Sequence, residues 1–329
     1  MTAPAASATP PGALGRGLGV AGRSARAGLA RLLASKKALF GAVVVLLLIA
    51  MGLLAPVIAP GNPLAVVAPQ NLPPSAHHLL GTTGQGNDVF AQVVWGTRNS
   101  LAVGFVTGFA IAFLGVALGL SAAYFGGWAD NLLSLLMNIF LVIPGLPLLV
   151  VMAAFLPRST LSVSLVLAIA GWAVSARVIR SQALSVVRRD YISAATVIGE
   201  RPLRIILAEV LPNLSSLIAS VLFGAIGYGI GSLAALQFLG LGDLSAVSWG
   251  TILYWAQNNS ALLQGTWWQF IPAGACLALT CAAISMLNFA IDEVTNPRLR
   301  TIRERRTRLA SRALRRRRGE QRQEEQHAA

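Results

Sequence analysis

The sequence predicts an all-α integral membrane protein with six transmembrane helices and both termini in the cytoplasm. Three observations carry that expectation. Hydrophobic residues make up 55% of the chain and charged residues only 12%, against about a quarter charged in soluble domains. Six apolar segments, roughly 38–60, 100–125, 132–156, 160–182, 214–240 and 269–291, reach the length of about 20 residues that a helix needs to cross a bilayer. Of the 26 Lys and Arg, 24 lie before the first segment, in or beside the stretch between the fourth and fifth, or after Pro297. Six spans place all of these on one side and leave Arg98 and Arg158 opposite. Basic residues are retained in the cytoplasm, so the termini and the 190–213 stretch belong there.

The elements follow in order. Residues 1–37 form a basic cytoplasmic tail. The apolar run Ala38–Ala59 is 22 residues long, beyond the core of about 7–15 residues of a secretory signal, and no small-x-small cleavage pattern follows it. It reads as an uncleaved first span, 38–60. Residues 61–99 are extracytoplasmic, with a glycine-rich loop ahead of an amphipathic stretch. His77 and His78 are adjacent there without metal-ligand spacing to Asp or Cys, so no metal site is expected. In the second and fifth spans Gly104 and Gly108, Gly115 and Gly119, and Gly227 and Gly231 form Gly-x-x-x-Gly pairs that let helices approach closely. The third span contains Pro144 and Pro147, tolerated where neighbouring helices or water satisfy the freed backbone groups.

No carboxylate lies inside the six segments, which disfavours a proton-coupled secondary transporter. Cys276 and Cys281 are five apart in the sixth span, on different faces, and imply neither a disulfide framework nor a metal site. The tail 292–329 carries Arg315-Arg316-Arg317-Arg318 with no interleaved aromatics, so its charge reads as a topology signal with some attraction to membrane lipid rather than as a nucleic-acid surface.

The most informative stretch is Asp190–Asn213, two short amphipathic helices on the membrane surface. In the first, Tyr191, Ala194, Ala195 and Ile198 fall at i, i+3, i+4 and i+7, one apolar stripe, and Gly199 stands at a left-handed C-terminal cap. In the second, Pro202 suits the first turn, Leu203, Ile206, Leu207, Val210 and Leu211 continue an apolar stripe, and Pro212 stops or kinks it. Such a hairpin on a membrane protein is a docking device.

Spacing makes a resemblance specific. Ser193-Ala194-Ala195, three residues, Gly199, then Leu211-Pro212 resembles the EAA loop of ABC importer permeases, whose first helix inserts into a groove on the cytoplasmic ATPase. Ser193 stands where the triplet usually has Glu, so the resemblance supports docking and not a charge contact. Leu79–Phe90 and Val94–Leu101 resemble the segment that precedes the permease core in the dipeptide and oligopeptide branch, with Thr83 in place of an Asp and Asn87 in place of an Arg. A third match is Phe238–Gly242, Ser248–Leu253, Trp267-Trp268 and Asp292–Arg300. Together they cover roughly residues 38–300.

The resemblance implies a MetI-like type I importer permease fold with an ABC transmembrane type-1 core at 97–291 and the coupling hairpin at 190–213. It implies a non-catalytic transport subunit without cofactors, acting on di- or oligopeptides, with nickel, a sugar or a siderophore as alternative solutes. The implied partners are a second homologous permease, two ATP-binding subunits and an extracellular or periplasmic solute-binding protein. Tyr191, Ala194, Ala195, Ile198 and Gly199 would meet the ATPase, and Trp249 and Trp255 would face the binding protein. At least half of Trp249, Trp255, Trp267 and Trp268 also suit an interfacial aromatic belt. The stretch Gly17–Ser24 lacks the lysine of a phosphate-cradling loop, so ATP hydrolysis is expected from separate subunits.

Overall fold

The computed structural model describes residues 35–155, 157 and 159–295, and of 292–295 only the backbone. The expectations placed on residues 1–34, on Arg158, on the exit motif beyond Thr295 and on Arg315–Arg318 lie outside the described residues. The described chain divides at Leu39/Phe40 and at Asp292/Glu293, and Phe40–Asp292 is one compact unit. That unit holds the helical bundle.

The main helices are α1 (Lys36–Leu53), α2 (Val89–Phe125), α3 (Gly127–Val142), α4 (Gly145–Phe155), α5 (Thr160–Val187), α6 (Asp190–Val197), α7 (Ser215–Phe238), α8 (Trp249–Asn258) and α9 (Ile271–Thr295). Extended pairing among the described residues is limited to a single bridge between Thr82 and Asp88. Five helices, α1, α2, α5, α7 and α9, are each long and apolar enough to cross a membrane, and α3 with α4 makes a sixth span if the pair is taken as one segment bent by 93°. The bend has a local cause. Pro144 separates the halves and lacks an N–H, and it pushes Ile143 out of the helical region to φ −72°, ψ 126°. Pro147 falls in the first turn of α4, where a missing N–H breaks no intrahelical bond.

Hydropathy places the start of the second span near residue 100, whereas the backbone places it at Val89. The amphipathic stretch and the span are one helix of 37 residues. Asp88 caps it, accepting a hydrogen bond from the Ala91 N–H at 2.9 Å, and nothing after that cap interrupts the backbone ladder. Gly96, inside the amphipathic part, lets α8 approach: an added Cβ would lie 3.2 Å from the Ser248 carbonyl carbon.

One face of α2 organises the bundle. A Cβ on Gly104 would lie 2.1 Å from Ile230 Cγ1, and one on Gly108 would lie 2.7 Å from Ile226 Cα, both on α7. Gly115 and Gly119 play the same part toward α5, where a Cβ would meet Ser175 Cβ at 2.5 Å and the Ala176 oxygen at 2.6 Å. An eleven-residue separation is about three turns, so the same side of α2 takes α7 in one half and α5 in the other. The third pair is different. Gly227 makes only ordinary contact, 3.5 Å from Ile284 Cγ2, and Gly231 has nothing within 4 Å. That pair is not a close helix contact within this chain.

Polar ties fix the remaining pieces. Arg180 of α5 donates to Asp130 of α3 through Nε at 2.5 Å and Nη2 at 2.7 Å. Arg177 donates to Asn138, and Phe140 sits edge-on to Trp172 with centroids 5.5 Å apart. In the 61–99 segment the Asn87 N–H donates to Thr83 Oγ1 at 3.1 Å, and its side-chain amide donates to the Leu64 and Ala65 carbonyls at 2.8 and 3.1 Å. His78 Nδ1 lies 2.8 Å from Asp88 Oδ2, an approach that spacing along the chain did not foretell. This segment is joined to the loop before α9 by amides: Asn71 donates to Gln264 at 3.0 Å, Gln269 donates to Asn71 at 2.7 Å, and Trp268 Nε1 donates to the Thr82 carbonyl at 3.2 Å.

Gly108→Ala is expected to lower the stability of the purified chain in detergent by about 1–3 kcal/mol, because its methyl group would meet α7 backbone rather than a movable side-chain tip. Gly231→Ala, facing open space, should leave the thermal midpoint unchanged or raise it. Equal midpoints for Gly108→Ala and wild type would show that this contact is not tight.

Candidate functional site

The 190–213 hairpin is built from two arms. Just past the end of α6 the Gly199 backbone is at φ +84°, the left-handed conformation that glycine adopts without penalty. The Glu200 N–H reaches back to the Ala195 oxygen at 3.1 Å and the Gly199 N–H to the Thr196 oxygen at 3.0 Å, a Schellman cap that satisfies two carbonyls at the helix end. Pro202 then opens the second arm at its first turn, as expected.

Burial divides the arms into two faces. Ile192 is buried and Ala195 half-buried against Leu120 and Ala123 of α2 and Ile179, Ala183 and Val186 of α5. Tyr191, Ala194, Ile198 and Gly199 face outward. The expected stripe is therefore split, with Ala195 leaning into the bundle and the other positions open. Val197, which the stripe left out, is 87% exposed beside Ile198 at 81%. The signal for it lay in Ile192: when one apolar residue of a short amphipathic helix is buried, the apolar residues on the far side need another partner.

The second arm corrects the expected stripe. Ile205, Ile206 and Val210 point inward, while Leu203 and Leu207 are exposed. The reason is a π-helical turn over Ile205–Val210, in which the Leu211 N–H bonds to the Ile206 oxygen five residues back. A π turn bonds residues five apart instead of four and so holds more residues than an α-helical turn, which brings Ile205 and Val210 toward one face and makes the α-helical count fail. Asn213 donates to the Tyr191 hydroxyl at 3.2 Å, which closes the hairpin, and Arg204 pairs with Glu200 at 2.8 Å on its exposed side.

Trp249 is not a surface residue. It is 0% exposed in the core formed with Val89, Val93, Leu101, Ile226 and Ile230, and its backbone N–H donates to Ser100 Oγ at 3.0 Å. The expectation that it faces a binding protein or an aromatic belt is corrected on that ground. A local signal was present: Ser248 and Thr251 form a capping box, which fixes the helix start and sets Trp249, Ile252 and Ala256 on one buried face. Ser248 Oγ also donates to Gln237 at 2.7 Å, fastening α8 to α7. Trp255 remains half-buried, edge-on to Tyr254 at 5.2 Å.

The chain from 115 to 301 matches the model of the binding-protein-dependent transport system inner membrane component family, more than half of its length. The chain belongs to that family. Its multi-pass helical architecture is that of an inner membrane permease, and residues 25–74 of this permease also match the N-terminal TM domain of oligopeptide transport permease C. It is 29% identical to the dipeptide transport system permease protein DppC of Bacillus subtilis (strain 168) over 82% of this chain and 84% of that one. It is 32% identical to a putative peptide transport system permease protein of Brucella suis biovar 1, over 82% and 90%. The oligopeptide transport system permease protein OppC of Bacillus subtilis is 26% identical over 82% and 88%.

Ile205→Ala should open a cavity under the second arm and cost about 2–5 kcal/mol locally, read as faster tryptic cleavage after Arg204. Val197→Ser, on the open side, should leave that rate unchanged. Identical cleavage of all three proteins would mean that the arm is not held by its inner face.

Proposed function

We propose that this permease is a subunit of an ATP-driven peptide importer, and that the outer face of its hairpin is the surface on which an ATP-binding subunit docks. The observation that carries the reading is the two-sided hairpin itself. One side is seated on α2 and α5, and the other presents Val197, Ile198, Leu203 and Leu207 to the exterior. A membrane-surface segment that has already buried one apolar face gains nothing by keeping a second, unless a partner covers it. In this reading the hairpin end, with both termini, is cytoplasmic, and the 61–99 segment and α8 lie outside. A second homologous permease completes the path, two ATP-binding subunits supply the energy, and a solute-binding protein delivers the load.

Short peptides are the proposed cargo, supported by relatives named for dipeptide and oligopeptide transport. The coupling step needs no chemistry from this chain. Closure of the ATPases moves the docked hairpin, and because Ile192, Ile205 and Val210 are packed against α2 and α5, the displacement passes into the spanning helices through close-packed contacts.

Ile198→Asp should leave insertion and assembly intact while placing a carboxylate in the proposed interface, at a cost on the order of 3–5 kcal/mol if it is left unpaired. Hydrolysis by the complete assembly should then no longer respond to a peptide-loaded binding protein. A wild-type response would remove the docking role. A response of the wild-type assembly to a metal chelate or sugar and never to peptides would change only the cargo. Cysteines introduced at Ser75 and Gln257, both exposed, should react with an impermeant thiol reagent from outside intact cells. Labelling of either only after lysis would reverse the orientation.

A further inference from the structure

Between its ends α7 differs from the other unbroken spanning helices in what it leaves uncovered. Leu47 on α1, Phe113 on α2, Leu165 on α5 and Phe289 on α9 are exposed, the bulky apolar groups that acyl chains cover. Over Ser215–Gln237, the single large exposed side chain among the described residues is Tyr228, at 38%. It lies near the middle of α7, whereas tyrosines facing lipid collect at the two membrane interfaces.

The surroundings of Tyr228 are shaped for it. Its ring edge rests on Gly171 of α5, where an added Cβ would come within 2.9 Å of Cε1. Ser232 follows one turn along α7, half-buried. One turn in each direction the helix is open: at Gly231 nothing lies within 4 Å, and at Gly224 the nearest atom is Asn288 Nδ2 at 3.7 Å. Further toward the hairpin, Ser220 Oγ donates to Asn288 Oδ1 at 2.6 Å. From Ser220 to Ser232, about 18 Å at about 1.5 Å per residue, a row of uncharged hydrogen-bonding side chains thus runs along α7, with Tyr228 exposed and Ser220, Asn288 and Ser232 half-buried. Hydrocarbon offers such groups no partners, so acyl chains are a poor neighbour for this face.

We propose that Tyr228, with Ser232, Ser220 and Asn288, is this chain's wall of the translocation path and hydrogen-bonds the backbone amides of a short peptide in transit. The proposal rests on the peptide-importer reading and deepens it. No formal charge is present anywhere on α7, so neither the ammonium nor the carboxylate end of a peptide is held by it. The row instead offers neutral donors and acceptors to the one feature all short peptides share. Contacts of this strength also suit a path, where binding must favour entry and still permit exit.

The test uses the full assembly in proteoliposomes, with Cys276 and Cys281 first replaced by serine. In nucleotide-free and vanadate-trapped states, Tyr228→Cys and Gly231→Cys are expected to react with a charged methanethiosulfonate at least about tenfold faster, in one state or the other, than Val106→Cys on the exposed side of α2. Tyr228→Phe, at equal recovery of the assembled complex, should slow uptake of labelled dialanine about fivefold, the loss of one hydrogen bond. Reaction of both α7 cysteines as slow as that of Val106→Cys overturns the proposal, and so does wild-type uptake by Tyr228→Phe. Failure of the peptide reading is seen separately, as absence of dialanine and trialanine uptake by the wild-type assembly, and the labelling rates remain interpretable in that case.

Discussion

Four glycines on α2 are the constraint on which the bundle depends. In lipid the hydrophobic effect gives little reason for one apolar helix to prefer another over acyl chains, so helix contacts are decided by how closely backbones approach. Gly104 and Gly108 admit α7, and Gly115 and Gly119 admit α5, with approaches that no side chain larger than hydrogen would permit. Everything attached to those two helices inherits its position from this face. The hairpin sits on Leu120 and Ala123, within about one turn of Gly119, and on the end of α5. Tyr228 lies between Ile226 and Ile230, the two α7 residues that meet α2, and its ring meets Gly171 of α5.

The spans were legible because crossing hydrocarbon demands a length and composition that no soluble helix needs, and the hairpin was legible because its glycine and prolines have fixed backbone roles. What the sequence hid has identifiable causes. Hydropathy divides Val89–Phe125 near residue 100 because the side chains change character there, although helix continuity belongs to the backbone. Pro144 announces a break but not an angle. The face of the second arm was misread because α-helical counting cannot anticipate a π turn. Arg180 and Asp130 are fifty positions apart, and no local pattern pairs them. Trp249 was misplaced by weighing its residue type above the cap beside it.

Thr83 and Asn87 show how a resemblance can be informative where it fails. The branch pattern has an Asp and an Arg at these positions, and losing both could have left a void. Instead, the two buried neutral side chains bond to each other, Thr83 Oγ1 donating to Asn87 Oδ1, and Asn87 donates to the Leu64 and Ala65 carbonyls. Replacing one member of a buried ion pair strands a charge, whereas replacing both with groups that satisfy one another removes the desolvation cost along with the attraction.

The same chemistry extends across the end of the bundle that carries the 61–99 segment. Asn71, Gln264, Gln269, Thr82 and Trp268 join the 61–99 segment to the loop before α9 through uncharged donors and acceptors, with His78 and Asp88 the one pair of ionisable side chains in contact described there. The opposite end is fastened by Arg180 with Asp130 and by Arg204 with Glu200. Salt weakens exposed ion pairs and leaves neutral hydrogen bonds almost untouched. The two ends thus answer differently to the medium. With the hairpin end cytoplasmic, as proposed above, the surface that meets a variable environment would keep its geometry across fresh or saline surroundings, and sensitivity to ionic strength would fall on the end bathed by a composition that the cell itself holds constant.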